Sequence, residues 1–286
     1  YNSDNYGLSC AKLEQVFNRK FPGENLVSQS EISILTLNIW GLESNDLVKY
    51  SIMEERMKKI GELIIQSNPD IVCLQEMSES SFKFLDPLLN SHYNYKSEDK
   101  INDLKRNRNA NLTNFIYSKF KPQQFTLYKI GGNLSYDNSI LLIVFKNLVI
   151  INVYCQAGSK FSPGQEKNAI HYSRCRREQY EMIGRLINQY YIDKKCVLCG
   201  DFNIHLDGSL ENWPELKQLK SLKMIDTFRT LNPSDLGYTE DTQTNLMIWN
   251  TKFQHKQFRY DGIFVKGLIP IKSELVGNTK FDLTKE

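Results

Sequence analysis

Residues 140–154 decide the fold class, with the sequence Ile-Leu-Leu-Ile-Val-Phe-Lys-Asn-Leu-Val-Ile-Ile-Asn-Val-Tyr. Two apolar runs, Ile140–Phe145 and Leu148–Tyr154, are separated only by Lys146 and Asn147. Apolar runs of this length favour strands, and a two-residue polar break between them is typical of a tight hairpin. The stretch therefore predicts two neighbouring antiparallel strands.

The segments on either side of this hairpin alternate between helices and strands. Apolar side chains recur at helical spacing from Met53 to Ile64 and from Ser173 to Tyr190, which predicts two helices. Shorter apolar runs predict the remaining strands, namely Ile32–Ile39, Ile71–Leu74, Phe115–Tyr117, Cys196–Cys199 and Phe258–Val265. Hairpins mixed with strand–helix–strand units predict an α/β domain whose sheets are covered by helices.

The first 30 residues differ from the rest of the chain because they are polar. They predict an N-terminal arm, residues 1–30, with one short helix at Ala11–Phe21 that Pro22 and Gly23 end. We expect residues 31–286 to form a single domain.

The composition excludes several classes of protein. The 286 residues are 41% hydrophobic and 24% charged, which is typical of a globular protein rather than a disordered or fibrous one. A net charge of +3 is too small to imply a polyanionic partner, and six cysteines in a chain this long do not suggest a disulfide scaffold. No apolar run approaches the roughly 20 residues that span a bilayer. We therefore expect an intracellular, soluble protein.

Polar side chains collect where the predicted strands end. The residues concerned are Asn38, Glu76, Tyr154, Asp201 and Asn203, and Asp261 lies in the middle of the last predicted strand. Strand ends at one edge of a sheet converge, so residues far apart in sequence can line one pocket. Carboxylates on strands can hold Mg²⁺, which takes only one or two protein carboxylates together with water and phosphate. The set suits phosphoryl transfer, although each residue taken singly also suits a turn, a strand end or a structural ion pair.

The order of these motifs carries a resemblance. Leu-Asn-Ile-Trp-Gly at 37–41 is followed by Leu-Gln-Glu at 74–76, Asn-Val-Tyr at 152–154, Gly-Asp-Phe-Asn at 200–203 and Arg-Tyr-Asp-Gly-Ile-Phe at 259–264. This series resembles the endonuclease/exonuclease/phosphatase superfamily, the deoxyribonuclease I-like fold, from about Ile32 to Val265. Phe115–Lys119 and the pair Arg176 and Gln179 also look like family segments. The resemblance implies a two-sheet α/β sandwich flanked by helices.

The resemblance also implies a role for each residue. Glu76 would be the main Mg²⁺ ligand, with Mn²⁺ as the alternative ion, and Asn38 would contact the metal's water or the phosphate. Asp201 would activate the attacking water or protonate the leaving oxygen, and Asn203 and Tyr154 would hydrogen-bond the phosphoryl oxygens. Asp261 matches the acidic residue that orients a catalytic His in the family.

The sequence departs from the family pattern at two places. Many members carry His where this chain has Tyr154, although the apurinic endonuclease branch carries Tyr there. The closing Ser-Asp-His motif is absent from the sequence, and none of its four histidines lies in such a motif: His92, His171, His205 and His255. We expect either a chain truncated before its last strand, which would leave a sheet edge uncovered, or a degenerate family member.

The substrate is predicted from weaker signals. Residues 225–228 and 237–245, which include Thr239 and Asn245, look like the 5′-tyrosyl-DNA phosphodiesterase branch. Basic residues that could contact phosphates form two clusters, the first of Lys105, Arg106 and Arg108 and the second of Lys160, Lys167, Arg174, Arg176 and Arg177, with His171 nearby. Each cluster also suits a solvated surface.

These signals predict a monomeric, Mg²⁺-dependent hydrolase that acts on a phosphodiester or phosphate ester, with DNA or RNA as the preferred substrate. One alternative is a phosphatase or phosphodiesterase of a lipid or sugar phosphate with the same fold. The other is a binding module that has kept the fold and lost the activity.

Overall fold

Two β-sheets pack against each other at the centre of the protein. The computed structural model describes residues 13–23, 27, 30–41, 52–97, 112–130, 138–161, 166–190, 194–244 and 256–277. The strands are β1 (Leu13–Lys20), β2 (Ile34–Asn38), β3 (Ile71–Met77), β4 (Tyr95–Lys96), β5 (Thr113–Ser118), β6 (Gln124–Ile130), β7 (Ser139–Val144), β8 (Leu148–Tyr154), β9 (Lys195–Asp201), β10 (Ile225–Asp226), β11 (Glu240–Asp241), β12 (Gln257–Phe258) and β13 (Asp261–Lys266).

The strands form one large sheet, one smaller sheet and a short ribbon. The large sheet has seven strands in the order β1-β6-β7-β8-β9-β13-β10, and the smaller has four in the order β2-β3-β5-β4. The ribbon consists of β11 and β12. Strands β2 and β3 pair in parallel, as do β8 and β9, while the other pairs are antiparallel.

Helices cover the outer faces of both sheets. They are α1 (Met53–Ser67), α2 (Glu79–Leu89), α3 (Ala169–Tyr190), α4 (Leu216–Ser221) and α5 (Thr227–Leu231), with a 3₁₀ turn at Glu166–Asn168. Helices α1 and α2 bury Met57, Ile64 and Leu85 with the small sheet, while α3 buries Ile183 and Leu186 with the large sheet. The predicted two-sheet sandwich flanked by helices is confirmed.

A third apolar cluster fills the space between the two sheets. Strands β3 and β5 contribute Ile71, Cys73 and Ile116, and the large sheet contributes alternate residues such as Ile150 and Val197. Since successive side chains of a strand point to opposite faces, these positions fix which residues of each strand face the other sheet. This alternation sets the direction of the polar side chains at the strand ends.

The predicted hairpin and the two predicted helices are confirmed, whereas the helix predicted at residues 11–21 is wrong. Residues Leu13–Lys20 form β1, which pairs antiparallel with β6 at the edge of the large sheet. Pairing with a strand that is 104 residues away or more decides this conformation, because β-structure depends more on its partner than on local preference. The last predicted strand also begins later, at Asp261 rather than at Phe258.

The sequence reasoning missed helix α2, whose interior contains Pro87. A proline normally breaks a helix, yet here a capping box between Ser78 and Ser81 fixes the start of the helix. Packing of Leu85 and Leu89 against the small sheet then stabilises it.

Candidate active site

The layer between the sheets changes from apolar to polar at one end. In β8, Ile150 belongs to the apolar cluster, and Asn152 and Tyr154 follow it at steps of two. In β9, Cys199 belongs to the cluster, and Asp201 follows it at the same step. The period of two therefore directs Tyr154 and Asp201 into the gap between the sheets.

Three predicted residues lie side by side on the large sheet. Tyr154 is the partner of Asp201 across β8 and β9, and Asp261 is the partner of Asp201 across β9 and β13. Tyr154 and Asp201 are 5% and 6% exposed. Neighbouring strands are about 4.8 Å apart, so these three side chains form a continuous row.

Asn38 connects this row to the small sheet. Its Nδ2 group donates to Glu76 Oε1 at 2.8 Å and to Asp201 Oδ2 at 2.9 Å. Its Oδ1 atom accepts the N–H of Trp40 at 2.9 Å. An amide has only two N–H donors, so both are used and Asn38 holds the two carboxylates at a fixed separation.

Glu76 reaches the gap because β3 is irregular at its end. The pairing register of β3 with β5 shifts between Leu74 and Met77, and Glu76 has a φ of 57°, in the left-handed region. The carbonyl of Glu76 accepts the N–H of Gly41 at 3.0 Å, and a Cβ atom at Gly41 would lie 2.3 Å from that oxygen. The positive φ of Glu76 is a strained backbone conformation for a residue with a side chain, and such strain is common at functional sites.

The turn after β9 positions Asn203 beside Asp201. Asn203 has a φ of 52°, and its backbone N–H donates to Asp201 Oδ1 at 2.8 Å. Its Nδ2 group donates to the carbonyl of Cys155 at 3.0 Å, which ties this turn to the end of β8. Cys155 is the one described residue that accepts from this amide, which leaves its second N–H donor for a ligand.

The three carboxyl groups of the site have raised pKa values. Burial raises the pKa of Glu76, against the hydrogen bond from Asn38. Burial and then the charge of Asp261 hold the pKa of Asp201 well above its ordinary value. Burial also raises the pKa of Asp261 to about 6. Buried carboxylates that face one another favour the binding of a proton or a cation.

Comparisons with known proteins agree with this geometry. The model of the Endonuclease/Exonuclease/phosphatase family matches residues 35–280. The chain belongs to this family. Membership supports a hydrolase of the phosphodiesterase or nuclease type. An uncharacterized protein of Caenorhabditis elegans is 24% identical over 266 residues, covering 82% of this chain and 79% of the relative.

Solved structures share the fold at low sequence identity. Truncated TDP2 of C. elegans matches with a TM-score of 0.57 and 17% identity, over 84% of this chain and 85% of that one. TDP2 of D. rerio in complex with a single-strand DNA product matches with a TM-score of 0.57 and 17% identity, over 89% and 93%. SmcL matches with a TM-score of 0.66 and 18% identity, over 83% and 84%.

The carboxylates fit the divalent metal ion that enzymes of this family generally use. Glu76 Oε2 and Asp261 Oδ1 are buried and accept no hydrogen bond from any described residue. Within the described ranges, no three His, Cys, Asp or Glu side chains form a metal cluster. Mg²⁺ does not require such a cluster, because it usually keeps several waters and binds one or two carboxylates plus substrate phosphate.

Arg56 of α1 is a residue at the site that the sequence reasoning missed. Its Nη2 group donates to the carbonyl of Ile39 at 2.6 Å, and its charge lowers the pKa of Glu76. Burial lowers the pKa of Arg56 itself, while Glu76 raises it. Nothing in the helical pattern of α1 distinguishes Arg56 from its solvent-exposed neighbours, so only the packing of α1 against the small sheet reveals it.

Thr239 lies beside Asp261, in a different role from the predicted contact with substrate. Its hydroxyl oxygen accepts the backbone N–H groups of Tyr260 and Asp261 at 3.0 and 3.1 Å. Glu240 follows it and raises the pKa of Asp261 by its charge, a neighbour that the sequence reasoning missed. Asn245, the other residue predicted from this segment, lies outside the described residues.

Arg176 is buried, which does not suit the predicted contact with substrate. It is 1% exposed and forms an ion pair with Glu215 at 2.6 Å. Its Nη1 group also donates to the carbonyls of Gln156 and Gly158 at 2.8 and 2.6 Å. The guanidinium therefore holds the loop after β8 against α3.

The other predicted substrate contacts have neighbours outside the row of carboxylates. Lys160 donates to Asn212 Oδ1 at 2.7 Å, and Arg177 lines a groove between α3 and α4. His171 lies on α3, with its Nε2 atom 3.6 Å from the Sγ atom of Cys175. The predicted cluster of Lys105, Arg106 and Arg108 lies outside the described residues.

Among the helices of the described ranges, none combines the length and apolar character of a membrane-spanning segment.

Proposed function

We propose that this protein is a metal-dependent phosphodiesterase that cleaves nucleic acid with Mg²⁺. The observation that carries the proposal is the row formed by Tyr154, Asp201 and Asp261, which Asn38 joins to Glu76. This arrangement surrounds a small space with carboxylates and neutral hydrogen-bonding groups, which suits a phosphate accompanied by a cation.

Each residue of the site would have its own role in the reaction. Glu76 would hold the metal through Oε2, and Asn38 Oδ1 retains one lone pair for a metal-bound water. When bound, the metal supplies positive charge that offsets the charge developing on the phosphoryl oxygens. The remaining N–H of Asn203 would donate a hydrogen bond to those oxygens, and the Tyr154 phenol, which here hydrogen-bonds Glu76, would exchange that partner for one of them.

Asp201 would accept the proton of the attacking water. Its carboxylate is fixed by Asn38 on Oδ2 and by the Asn203 N–H on Oδ1, so its orientation is defined on both oxygens. Burial and the charge of Asp261 raise its pKa, so its carboxylate is a stronger base than that of an exposed Asp, which favours proton transfer. Asp261 supports this role by its charge.

Support for a nucleic-acid substrate comes from a similar structure. TDP2 of D. rerio, which shares the fold over 89% of this chain, has been solved with a single-strand DNA product. The basic surface residues Arg174 and Lys167 lie on α3 and just before it, where they could contact a phosphate backbone.

Hydrolysis of a labelled oligonucleotide panel tests the proposal. The panel contains single-stranded, double-stranded, abasic and 5′-tyrosyl substrates, each with Mg²⁺ and with EDTA. We expect Mg²⁺-dependent cleavage that falls by at least about 100-fold in Glu76→Gln, since one preorganised electrostatic group supplies that much. Glu62→Gln, a change at an exposed Glu of α1, should retain full activity. Cleavage that persists in EDTA or in Glu76→Gln would contradict the proposal.

A further inference from the structure

Three buried oxygen atoms lie beyond Tyr154, on the side of the row away from Asp201. They are Asn114 Oδ1, Asn138 Oδ1 and Ser139 Oγ, and no described residue is hydrogen-bonded to any of them. The three residues are 1%, 3% and 0% exposed. Buried polar atoms are nearly always hydrogen-bonded, so three such atoms on neighbouring residues call for a ligand or ordered water.

These atoms adjoin the proposed phosphate site directly. Ser139 is the partner of Tyr154 across β7 and β8, and it alternates with Leu141 of the cluster between the sheets. Asn138 Nδ2 donates to the carbonyl of Tyr154 at 3.4 Å. Asn114, on β5 of the small sheet, faces the same gap because it alternates with Ile116.

The direction of the Asn114 amide is fixed by the backbone. Its Nδ2 group donates to the carbonyls of Ser139 and Asn152 at 2.8 and 3.1 Å. Carbonyl oxygens cannot donate, so rotating the amide by 180° would lose both hydrogen bonds. Oδ1 of Asn114 is therefore the atom left over, and the same argument applies to Asn138 and the carbonyl of Tyr154.

The chemistry of these atoms differs from that of the rest of the row. Asp261, Asp201 and Glu76 are acidic and suit a cation, whereas Asn114, Asn138 and Ser139 are neutral. Carbonyl oxygens of amides can only accept hydrogen bonds. A second phosphate would not satisfy them, because phosphate oxygens at neutral pH are also acceptors. The missing group is an uncharged donor.

We infer that Asn114, Asn138 and Ser139 form a subsite for a hydroxyl group on the alcohol that is esterified to the scissile phosphate. This inference rests on the proposed function. In a nucleic acid the nearest such donor is the ribose 2′-hydroxyl, the group by which a protein distinguishes RNA from DNA. The subsite lies about one strand spacing, roughly 5 Å, from Tyr154, which suits the sugar next to a phosphate at that residue.

The experiment compares substrates that differ in one hydroxyl. The same labelled oligonucleotide carries a single ribose, deoxyribose or 2′-O-methylribose, first on one side of the cleaved bond and then on the other. A second pair consists of small sugar phosphates with and without a hydroxyl on the carbon next to the phosphorylated one. The readout is the ratio of kcat/KM within each set, measured for the wild type and for Ser139→Ala and Asn138→Ala.

We expect the wild type to prefer ribose over deoxyribose by about tenfold at one of the two positions, which is the effect of one net hydrogen bond. The 2′-O-methyl substrate should behave no better than deoxyribose, since it lacks the donor. In each variant, the ratio of kcat/KM for the ribose substrate to that for the deoxyribose substrate should move towards one. Ser118→Ala is the matched control, because Ser118 is also fully buried but lies at the opposite end of β5 and donates to the carbonyl of Phe120.

The outcomes separate the subsite from the proposed function. Cleavage of the oligonucleotides without a preference, or an equal loss on both sugars in Ser139→Ala and Asn138→Ala, would show that the three atoms bind water only and would overturn the inference. Discrimination between the sugar phosphates, with no cleavage of any oligonucleotide, would support the subsite and overturn the nucleic-acid substrate. Discrimination in neither pair would also overturn the inference.

Discussion

Single residues of the site are held in unusual conformations by their neighbours. Trp40, Glu76 and Asn203 all have positive φ angles, at 46°, 57° and 52°. These three residues lie at the ends of β2, β3 and β9. Asn38 accepts the N–H of Trp40, Asp201 accepts the N–H of Asn203, and the Glu76 side chain accepts a hydrogen bond from Asn38. Such conformations persist only when the surrounding structure determines them, which argues for selection on the position of the side chains.

Asp207 illustrates a residue whose charge serves stability. It lies between Arg259 and Arg229, at 2.7 and 2.8 Å. Although burial raises its pKa, the hydrogen bonds from the two guanidinium groups outweigh burial and lower the pKa below its ordinary value. An Asp with a lowered pKa contributes stability above its unfolded-state pKa of about 4 and loses this contribution as the pH falls towards the folded-state value.

We therefore expect Asp207→Asn to lower the free energy of unfolding by about 1 kcal/mol at pH 7, a modest figure because solvent screens a partly exposed ion pair. The difference between variant and wild type should shrink as the pH falls below about 4. Urea unfolding at a series of pH values measures it. Glu211→Gln, at an exposed position, is the control and should show no such trend. A difference that does not change with pH would contradict this account.

Among the secondary-structure elements, α3 fixes the two loops that carry the site. Gln179 and Tyr180 follow Arg176 by three and four residues, so the three side chains lie on one face of the helix. Gln179 Oε1 accepts the N–H of Gln156 at 2.9 Å, and Tyr180 donates to the carbonyl of Phe202 at 2.7 Å. The resemblance identified Arg176 and Gln179 as a helix signature, and the structure gives the physical reason for their pattern.

The pairing of β8 with β9 depends on Gly200. This residue has a φ of 136°, and a Cβ atom there would lie 2.0 Å from the carbonyl oxygen of Val153. We expect Gly200→Ala to lower the free energy of unfolding by about 3 kcal/mol, the upper range for a strained backbone position, and to reduce activity because Asp201 follows directly. Thermal unfolding and the oligonucleotide assay measure the two effects.

Gly184→Ala is the matched control for that change. The closest atom to a Cβ at Gly184 is Cδ2 of Leu222, the end of a flexible side chain, at 2.9 Å. Alanine also favours a helix over glycine, so this variant should be close to wild type in stability. Equal destabilisation of the two variants would show that the close approach at Gly200 does not matter.

The whole molecule is joined by a polar connection between its two sheets. Gln75 Nε2 donates to Asn152 Oδ1 at 2.7 Å, and Asn152 Nδ2 donates to the carbonyls of Leu74 and Phe115 at 3.0 and 3.2 Å. Both side chains are fully buried. This pair forms the boundary between the apolar cluster and the site, and it sets the position of one sheet relative to the other.

A double-mutant cycle measures this connection. We expect Asn152→Leu alone to lower the free energy of unfolding by about 3 kcal/mol, because it leaves buried partners without hydrogen bonds. In the Asn152→Leu background, Gln75→Leu should lower the free energy of unfolding by at least about 1 kcal/mol less than it does in the wild type, as for residues in direct contact. Ser118, the last residue of β5, serves as the control: the effects of Gln75→Leu and Ser118→Ala on the free energy of unfolding should be additive. Additivity of the first pair would show that the sheets are not coupled through it.

Much of the fold could be predicted because local patterns of apolar residues in the sequence indicate it. The hairpin at β7 and β8 and the helices α1 and α3 follow from the spacing of apolar residues, and the order of the strand-end motifs indicated the family. Strand β1 and helix α2 could not be predicted in this way. The first depends on pairing with β6, and the second keeps Pro87 inside a helix that packing stabilises.

The same division applies to the site. The sequence alone shows which strands end in Asn38, Tyr154 and Asp201, since a polar residue after an apolar run is visible in the sequence. The burial of Arg176, Asn114 and Ser139 and the position of Arg56 beside Glu76 depend on the tertiary structure. Burial and hydrogen bonding depend on which surfaces meet, and the contact of the two sheets brings together residues that are distant in sequence, such as Asn38 and Asp201, which are 163 positions apart.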